Sequence, residues 1–232
     1  MNKVGEVYSQ MADGYDAHDD TVQFLAEDEF IYNQILTPKA WQKTVIDLGC
    51  GTGRALQWLW MIAPYNYQGY DVSDGMLEIA RRKFGQYTFK KMDMREVPTR
   101  PNCLVISLYG SPCYMPIVHL RNLIETWHLA GADIVLLLYG HGRNRGTYTA
   151  THEKGLNPVL YGKSYIRVLK KLLPTMDVRV TGVDVYQFNK WIKNVKLYNL
   201  MIRIQAVLSR WGLISLDKFA WVLLEIPAAK GA

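Results

Sequence analysis

The sequence predicts an α/β fold built around a mostly parallel sheet with helices on both faces. Three observations point there. Strand-like runs alternate with helical stretches of about ten residues between positions 44 and 139, the pattern of successive βαβ units. Leu104–Leu108 and Ile134–Leu138 are almost continuously apolar, as strands buried on both faces are. The first strand, Thr44–Leu48, runs directly into a glycine-rich turn.

The elements follow in order. Glu6–Met11 and Thr21–Leu36 read as helices, the second amphipathic through Phe24, Leu25, Phe30, Ile31 and Ile35. After Thr44–Leu48, Arg54–Ile62 is a helix stopped ahead of Pro64. Tyr67–Val72 is the second strand, and Asp74–Phe84 a helix capped by Ser73 or Asp74. Tyr87–Met92 and Cys103–Leu108 are the third and fourth strands. Pro116–Leu129 is a helix ending near Gly131, and Asp133–Tyr139 the fifth strand. Beyond the loop Gly140–Gly146 come a helix at Ser164–Leu173, a strand near Val178–Tyr186, a helix near Lys190–Arg210 and a strand near Lys218–Ile226. The last two strands have no βα alternation between them and are expected to pair antiparallel at an edge.

The 232 residues suit one domain with no internal repeat or linker. Within 1–232 the expected divisions are a helical lid (1–40), the α/β core (41–186), a helical cap (187–216) and the last strand (217–227). Cys50, Cys103 and Cys113 are too few and scattered for a disulfide framework, and no spacing suggests a metal site. The acidic, polar start does not resemble a signal or transit peptide, and no apolar run is long enough to span a membrane. A soluble protein of a reducing, cytoplasmic compartment is the expectation. Charge is uneven: residues 1–30 carry one basic and eight acidic side chains, residues 163–210 ten basic and two acidic. Mutual neutralisation, or two solvated faces, is the plainer account of this asymmetry, and phosphate binding the sharper one.

The densest chemistry lies in Asp47-Leu48-Gly49-Cys50-Gly51-Thr52-Gly53. Alternating glycines let the backbone turn sharply and let a ligand approach without interference from Cβ atoms. The following helix offers its free N–H groups and positive dipole end. Asp71, at the end of the second strand, is placed to accept from both hydroxyls of a ribose. The spacing is G-x-G-x-G rather than G-x-G-x-x-G, with an aspartate two residues before the first glycine. A carboxylate there disfavours a pyrophosphate but suits a ligand bearing an ammonium or a sulfonium.

This ordered set resembles the class I S-adenosylmethionine-dependent methyltransferases, of small-molecule type, from about Tyr8 to Tyr139. The resemblance implies a seven-stranded, mostly parallel, Rossmann-like sheet with a helical cap, and S-adenosylmethionine as cofactor. It implies cofactor contacts from Asp47, Gly49, Cys50, Gly51 and Gly53, with Asp71 and Val72 at the ribose. Asp93 and Met94 correspond to the family's adenine turn, and Ser107 begins the motif beside the methionine end. Tyr15, in the Tyr8–Asp16 lead-in, and Met76 complete the implied set.

The methyl acceptor is less legible, because methyl transfer needs alignment more than a universal catalytic residue. His141, flanked by glycines after the fifth strand, is a candidate base or substrate contact, and Tyr109 a candidate at the acceptor pocket. A solvated loop histidine and a core tyrosine are the plainer readings of the two. Cys113 follows Pro112, as the nucleophile does in cytosine C5 methyltransferases. The companion segments of that family are absent, so a packed cysteine is the preferred reading. The helix Lys190–Arg210, with Lys193, Lys196, Arg203 and Arg210 grouped on one side, reads as a cap over the substrate cleft. RNA-facing and membrane-surface helices are the alternatives. The expected partner is therefore a small-molecule acceptor. An RNA or protein acceptor served by residues 163–210 is the second reading, and a non-catalytic cofactor-binding protein the third. The oligomeric state is left open.

Overall fold

The computed structural model describes residues 3–18, 21–142, 156–184 and 191–229. Seven strands form one sheet: β1 (Thr44–Leu48), β2 (Tyr67–Asp71), β3 (Thr88–Lys91), β4 (Cys103–Ser107), β5 (Asp133–Tyr139), β6 (Arg179–Val183) and β7 (Trp221–Ile226). Their spatial order is β3-β2-β1-β4-β5-β7-β6. The first five are parallel, with Asp47 opposite Gly69 on β2 and Ile106 on β4. β7 is antiparallel to both β5 and β6. The expected antiparallel pair is present, but β7 slots between β5 and β6. The sequence-last strand is thus interior, consistent with its nearly complete burial, and β6 is the edge.

Helices cover both faces. They are α1 (Lys3–Met11), α2 (Val22–Asp28), α3 (Thr37–Ala40), α4 (Arg54–Trp58), α5 (Asp74–Lys83), α6 (Ile117–Leu129), α7 (Lys163–Leu172) and α8 (Val195–Arg210). Between α2 and α3 the chain is π-helical over Glu29–Leu36, so the helix expected at Thr21–Leu36 changes pitch midway. Thr21 caps α2, accepting from the Phe24 N–H, and Ser73 caps α5, accepting from Met76. The last helix begins at Val195 rather than Lys190, because the Asn194 side chain accepts from the Leu197 N–H at 3.0 Å. Val185 and Tyr186 of the strand expected near Val178–Tyr186, and residues 143–146 of the loop Gly140–Gly146, lie outside the described residues.

α8 does not sit over the cleft expected for a cap. Its buried face packs on β6 and α2: Asn199 Nδ2 donates to the Ala26 carbonyl at 2.9 Å, and Ser209 Oγ accepts from the Gly182 N–H at 2.9 Å. Tyr198, Ile202 and Ala206 fill the space beneath. The position above the carboxyl ends of β1 and β2 is held by α1 instead. A Cβ on Gly5 would lie 2.7 Å from the Val72 carbonyl oxygen, so only glycine permits this approach.

Candidate active site

β1 ends in a loop whose three glycines all have positive φ: Gly49 at 80°, Gly51 at 53° and Gly53 at 83°. These left-handed conformations explain the G-x-G-x-G spacing, since side chains at alternate positions would each be strained. A Cβ at Gly49 would meet Ser111 Cβ at 2.5 Å, whereas one at Gly51 would project into open space. The loop is pinned from beside. Asp71 Oδ2 accepts the Gly51 N–H and Oδ1 the Ser73 N–H, both at 2.9 Å. Burial pushes the Asp71 carboxyl above its ordinary value, while these backbone donors oppose the rise.

A cavity of about 80 Å³ opens on this loop, lined by Gly49, Gly51, Asp71 and Met94 on the core side and by Val4, Tyr8 and Tyr15 from the N-terminal segment. Val72, Met76, Met92, Tyr109, Ser111 and Tyr114 complete the wall. Of the residues expected at a cofactor, Tyr15, Gly49, Gly51, Asp71, Val72, Met76 and Met94 therefore meet at one place. The N-terminal segment is stitched down by side chains. Tyr8 and Tyr114 hydroxyls are 2.8 Å apart, Ser9 and Ser73 hydroxyls 2.9 Å, and Thr52 Oγ1 donates to Asp16 Oδ1 at 2.7 Å.

The other expected residues are not among those lining the cavity. Asp47 is buried and accepts from the Tyr67 hydroxyl at 2.7 Å. Burial pushes its carboxyl up to about 7 against the pull of that bond, and the Asp71 charge adds to the rise. Cys50 is buried, with its sulfur where a Cβ on Gly69 would need to be. Gly53 is the left-handed cap of α4, its Cα against Phe84. Ser107 donates to the Leu48 carbonyl, locking β4 to β1. Asp93 is held by Arg95, whose backbone N–H, Nε and terminal nitrogen all donate to it, and that partner lowers its carboxyl.

The two catalytic candidates differ. Tyr109 lines the cavity with its ring, at a positive φ of 51° that is costly for a bulky residue. Its hydroxyl is turned inward and donates to Asp28 Oδ1. Burial, with Asp28 adding, pushes the phenol well above its ordinary value, which removes it as a base. His141 is not among the residues lining the cavity. Its Nδ1 stands 3.3 Å from Asp217 Oδ1. Cys113 is fully buried, its sulfur accepting the Tyr139 N–H at 3.2 Å.

Sequence reasoning missed the group behind Tyr109. Asp28 Oδ2 accepts from Arg54 Nε at 3.1 Å, from an Arg54 terminal nitrogen at 2.8 Å and from Trp58 Nε1 at 3.0 Å. The Arg54 guanidinium lies 4.5 Å from the Tyr109 ring centroid and 5.2 Å from that of Phe24. Beside it, Gln23 Nε2 bridges two buried carboxyls, donating to Glu27 at 3.0 Å and Asp184 at 3.1 Å. Burial and the Asp184 charge raise Glu27 well above its ordinary value. A signal was available in the polar residues Gln23, Glu27 and Asp28 on an otherwise apolar helix.

A family profile described as "Methyltransferase domain" matches residues 45–130, which run from β1 through α6. No curated protein matches the chain in sequence. Several solved structures share its fold. One from Thermotoga maritima, described as an S-adenosylmethionine-dependent methyltransferase and possible histamine N-methyltransferase, is 12% identical with a TM-score of 0.63. That similarity covers 97% of this chain and 99% of the other. The plantazolicin methyltransferase bound to S-adenosylhomocysteine is 14% identical, with a TM-score of 0.59 over 95% of this chain and 90% of its own. The magnesium protoporphyrin IX methyltransferase of Synechocystis, also bound to S-adenosylhomocysteine, is 16% identical. Its TM-score is 0.52 over 99% of this chain and 89% of that one.

Proposed function

We propose that this chain is a class I S-adenosylmethionine-dependent methyltransferase that passes the cofactor's methyl group to a small-molecule acceptor, with residues 1–40 serving as the lid over the site. The methyltransferase-domain match over residues 45–130 supports this reading. The cofactor supplies a methyl carbon activated by positively charged sulfur. The protein's residues fit it: Asp71 offers acceptor lone pairs for a ribose, Gly49 and Gly51 leave the loop bare, and Met92 and Met94 offer apolar contact for a base. Tyr15, Val72 and Met76 line the same space.

The observation that carries the small-molecule reading is the closed aromatic wall. Tyr8, Tyr15 and Tyr114 come together over the loop, with ring centroids 6.0 Å apart for Tyr8–Tyr15 and for Tyr8–Tyr114. Such a wall supports alignment of a small acceptor in a dry site. The present volume of about 80 Å³ is below the roughly 300–1,000 Å³ of ligand sites, so α1 has to swing off Val72 for entry. The basic grooves, of about 570 and 480 Å³, lie along the β6 edge and share no lining residue with this cavity. That separate lining weighs against an RNA acceptor delivered by residues 163–210. Three buried free thiols support a reducing, cytoplasmic setting.

The test is to incubate the protein with methyl-labelled S-adenosylmethionine and a cell extract separated by size. Label in the low-molecular-weight fraction, with S-adenosylhomocysteine formed in step, is the expected result. Label confined to RNA or protein would refute the acceptor class, and no turnover with any fraction would favour a binding protein.

A further inference from the structure

α8 has two apolar faces, and only one of them is used. Tyr198, Ile202 and Ala206 point into the protein. On the opposite side Leu197, Leu200, Ile204 and Val207 follow each other at helical spacing, each between 44% and 51% exposed. The stripe continues past the helix into Trp211 and Leu213, which are 74% and 68% exposed. An isolated exposed leucine needs no explanation, but a continuous stripe of this length marks an interaction surface.

The charge around the stripe identifies its occupant. Residues 191–215 contain Lys193, Lys196, Arg203 and Arg210 and no acidic residue at all. All four basic residues are exposed. At the end of α8 Arg210, whose guanidinium donates to Thr181 and Glu225, lines one groove together with Lys163, Arg167, Lys170 and Lys171 of α7. Apposing two copies of this face would set like charges against each other. A nucleic acid would be met by the bases, not by the leucines. An apolar stripe with a tryptophan at its end and a rim of cations is complementary to the headgroup layer of an anionic bilayer. We propose that α8 docks this protein peripherally on anionic membrane, with Leu197, Leu200, Ile204, Val207 and Trp211 seated among the headgroups and Lys193, Lys196 and Arg203 paired with lipid phosphates or carboxylates. Among the described residues no helix is long and apolar enough to cross a membrane, so this contact is one of lying on the surface.

Co-sedimentation of the full chain with vesicles tests this. Binding to phosphatidylcholine vesicles containing about 30% phosphatidylserine is expected to exceed binding to pure phosphatidylcholine by at least tenfold, since each basic residue near such a surface is worth about 1 kcal/mol, or roughly fivefold. The double variant Leu200→Asp, Ile204→Asp should lose vesicle binding while keeping its melting temperature within a few degrees, because both side chains face solvent. Lys193→Ala with Lys196→Ala provides an independent readout, weakening binding to the anionic vesicles by roughly 25-fold without touching the apolar stripe. Equal binding to neutral vesicles, or none to either, would overturn the proposal. So would a dimer in sedimentation equilibrium that Ile204→Asp dissociates, or RNA binding that survives the double aspartate variant.

Discussion

Asp71 accepts the Gly51 N–H at 2.9 Å, so the acid at the end of β2 holds the glycine loop that follows β1. One carboxylate thus does two things: it fixes a left-handed turn and faces the cavity above it. Asp71→Ala is expected to weaken S-adenosylmethionine binding by about 1.5–3 kcal/mol, the range for hydrogen bonds to a charged group. Asp71→Asn, which keeps one acceptor for Gly51, should lose less. Isothermal calorimetry on the folded variants decides the matter: affinity undiminished in the alanine variant would mean the ribose does not lie on Asp71.

The pairing of Asp28 with Arg54 makes a second prediction. Both side chains are largely shielded, at 4% and 11% exposed, and the ion pair is completed by Trp58 and Tyr109. Removing one partner strands a buried charge, at a cost of about 3–5 kcal/mol. Asp28→Ala should therefore lower the melting temperature by roughly 6–20 °C for a chain of this size. It should also loosen the Tyr109 ring at the cavity wall and raise KM. A thermal melt unchanged to within a degree or two would show that the cluster contributes nothing to stability.

Asp47 gives a pH dependence whose sign is fixed by its environment. Its carboxyl is pushed up to about 7 in the folded protein, by burial first, against about 3.9 in an unfolded chain. Between those values the folded state binds the extra proton, so this residue's contribution falls as pH rises from about 4 to 7 and stays low above that. Asp47→Asn keeps an acceptor for Tyr67 without the charge. It should gain about 2–4 kcal/mol relative to the parent at pH 8 and nothing near pH 4, at ~1.4 kcal/mol per pH unit across the window. Denaturant titrations of both proteins at pH 4, 6 and 8 measure the difference. Parallel stability curves would mean Asp47 is not protonated on folding.

The sheet was legible because its strands are short, apolar and separated by helices, and β1, β5 and α6 fall within a residue of their expected bounds. The glycine loop was legible because left-handed backbone leaves a mark in composition. Less of the site could be read. Val72 and Met94 line the cavity, whereas Asp93 and Ser107 spend their polar atoms on Arg95 and Leu48. The distinction is one of side-chain direction, which spacing does not encode. Glu27 and Asp28 were counted in an acidic segment read as neutralised by residues 163–210 or solvated, yet they are buried against Gln23 and Arg54, partners up to 26 positions away. Net charge along a chain conceals pairs that form only in three dimensions. The cap expected at Lys190–Arg210 differs for a related reason: the grouping of Lys193, Lys196, Arg203 and Arg210 on one side of α8 does not say which element its other sides pack against, and the structure sets them on β6 and α2.

The last prediction concerns His141 and Cys113. Neither lines the cavity: His141 stands against Asp217, and Cys113 is sealed beneath Tyr139. Alignment is then the main device available to the protein, worth several kcal/mol without any proton transfer from a side chain. Cys113→Ala should keep most of its turnover, with some stability lost from the small void it leaves. His141→Ala should fall by less than about threefold, whereas removing a true general base costs about 10²–10⁴. Single-turnover rates with saturating cofactor separate these outcomes, because they isolate the transfer step from binding. A loss of a hundredfold in His141→Ala would place this histidine at the acceptor. A dead but folded and cofactor-loaded Cys113→Ala would instead require a covalent intermediate, which the buried position of that sulfur opposes.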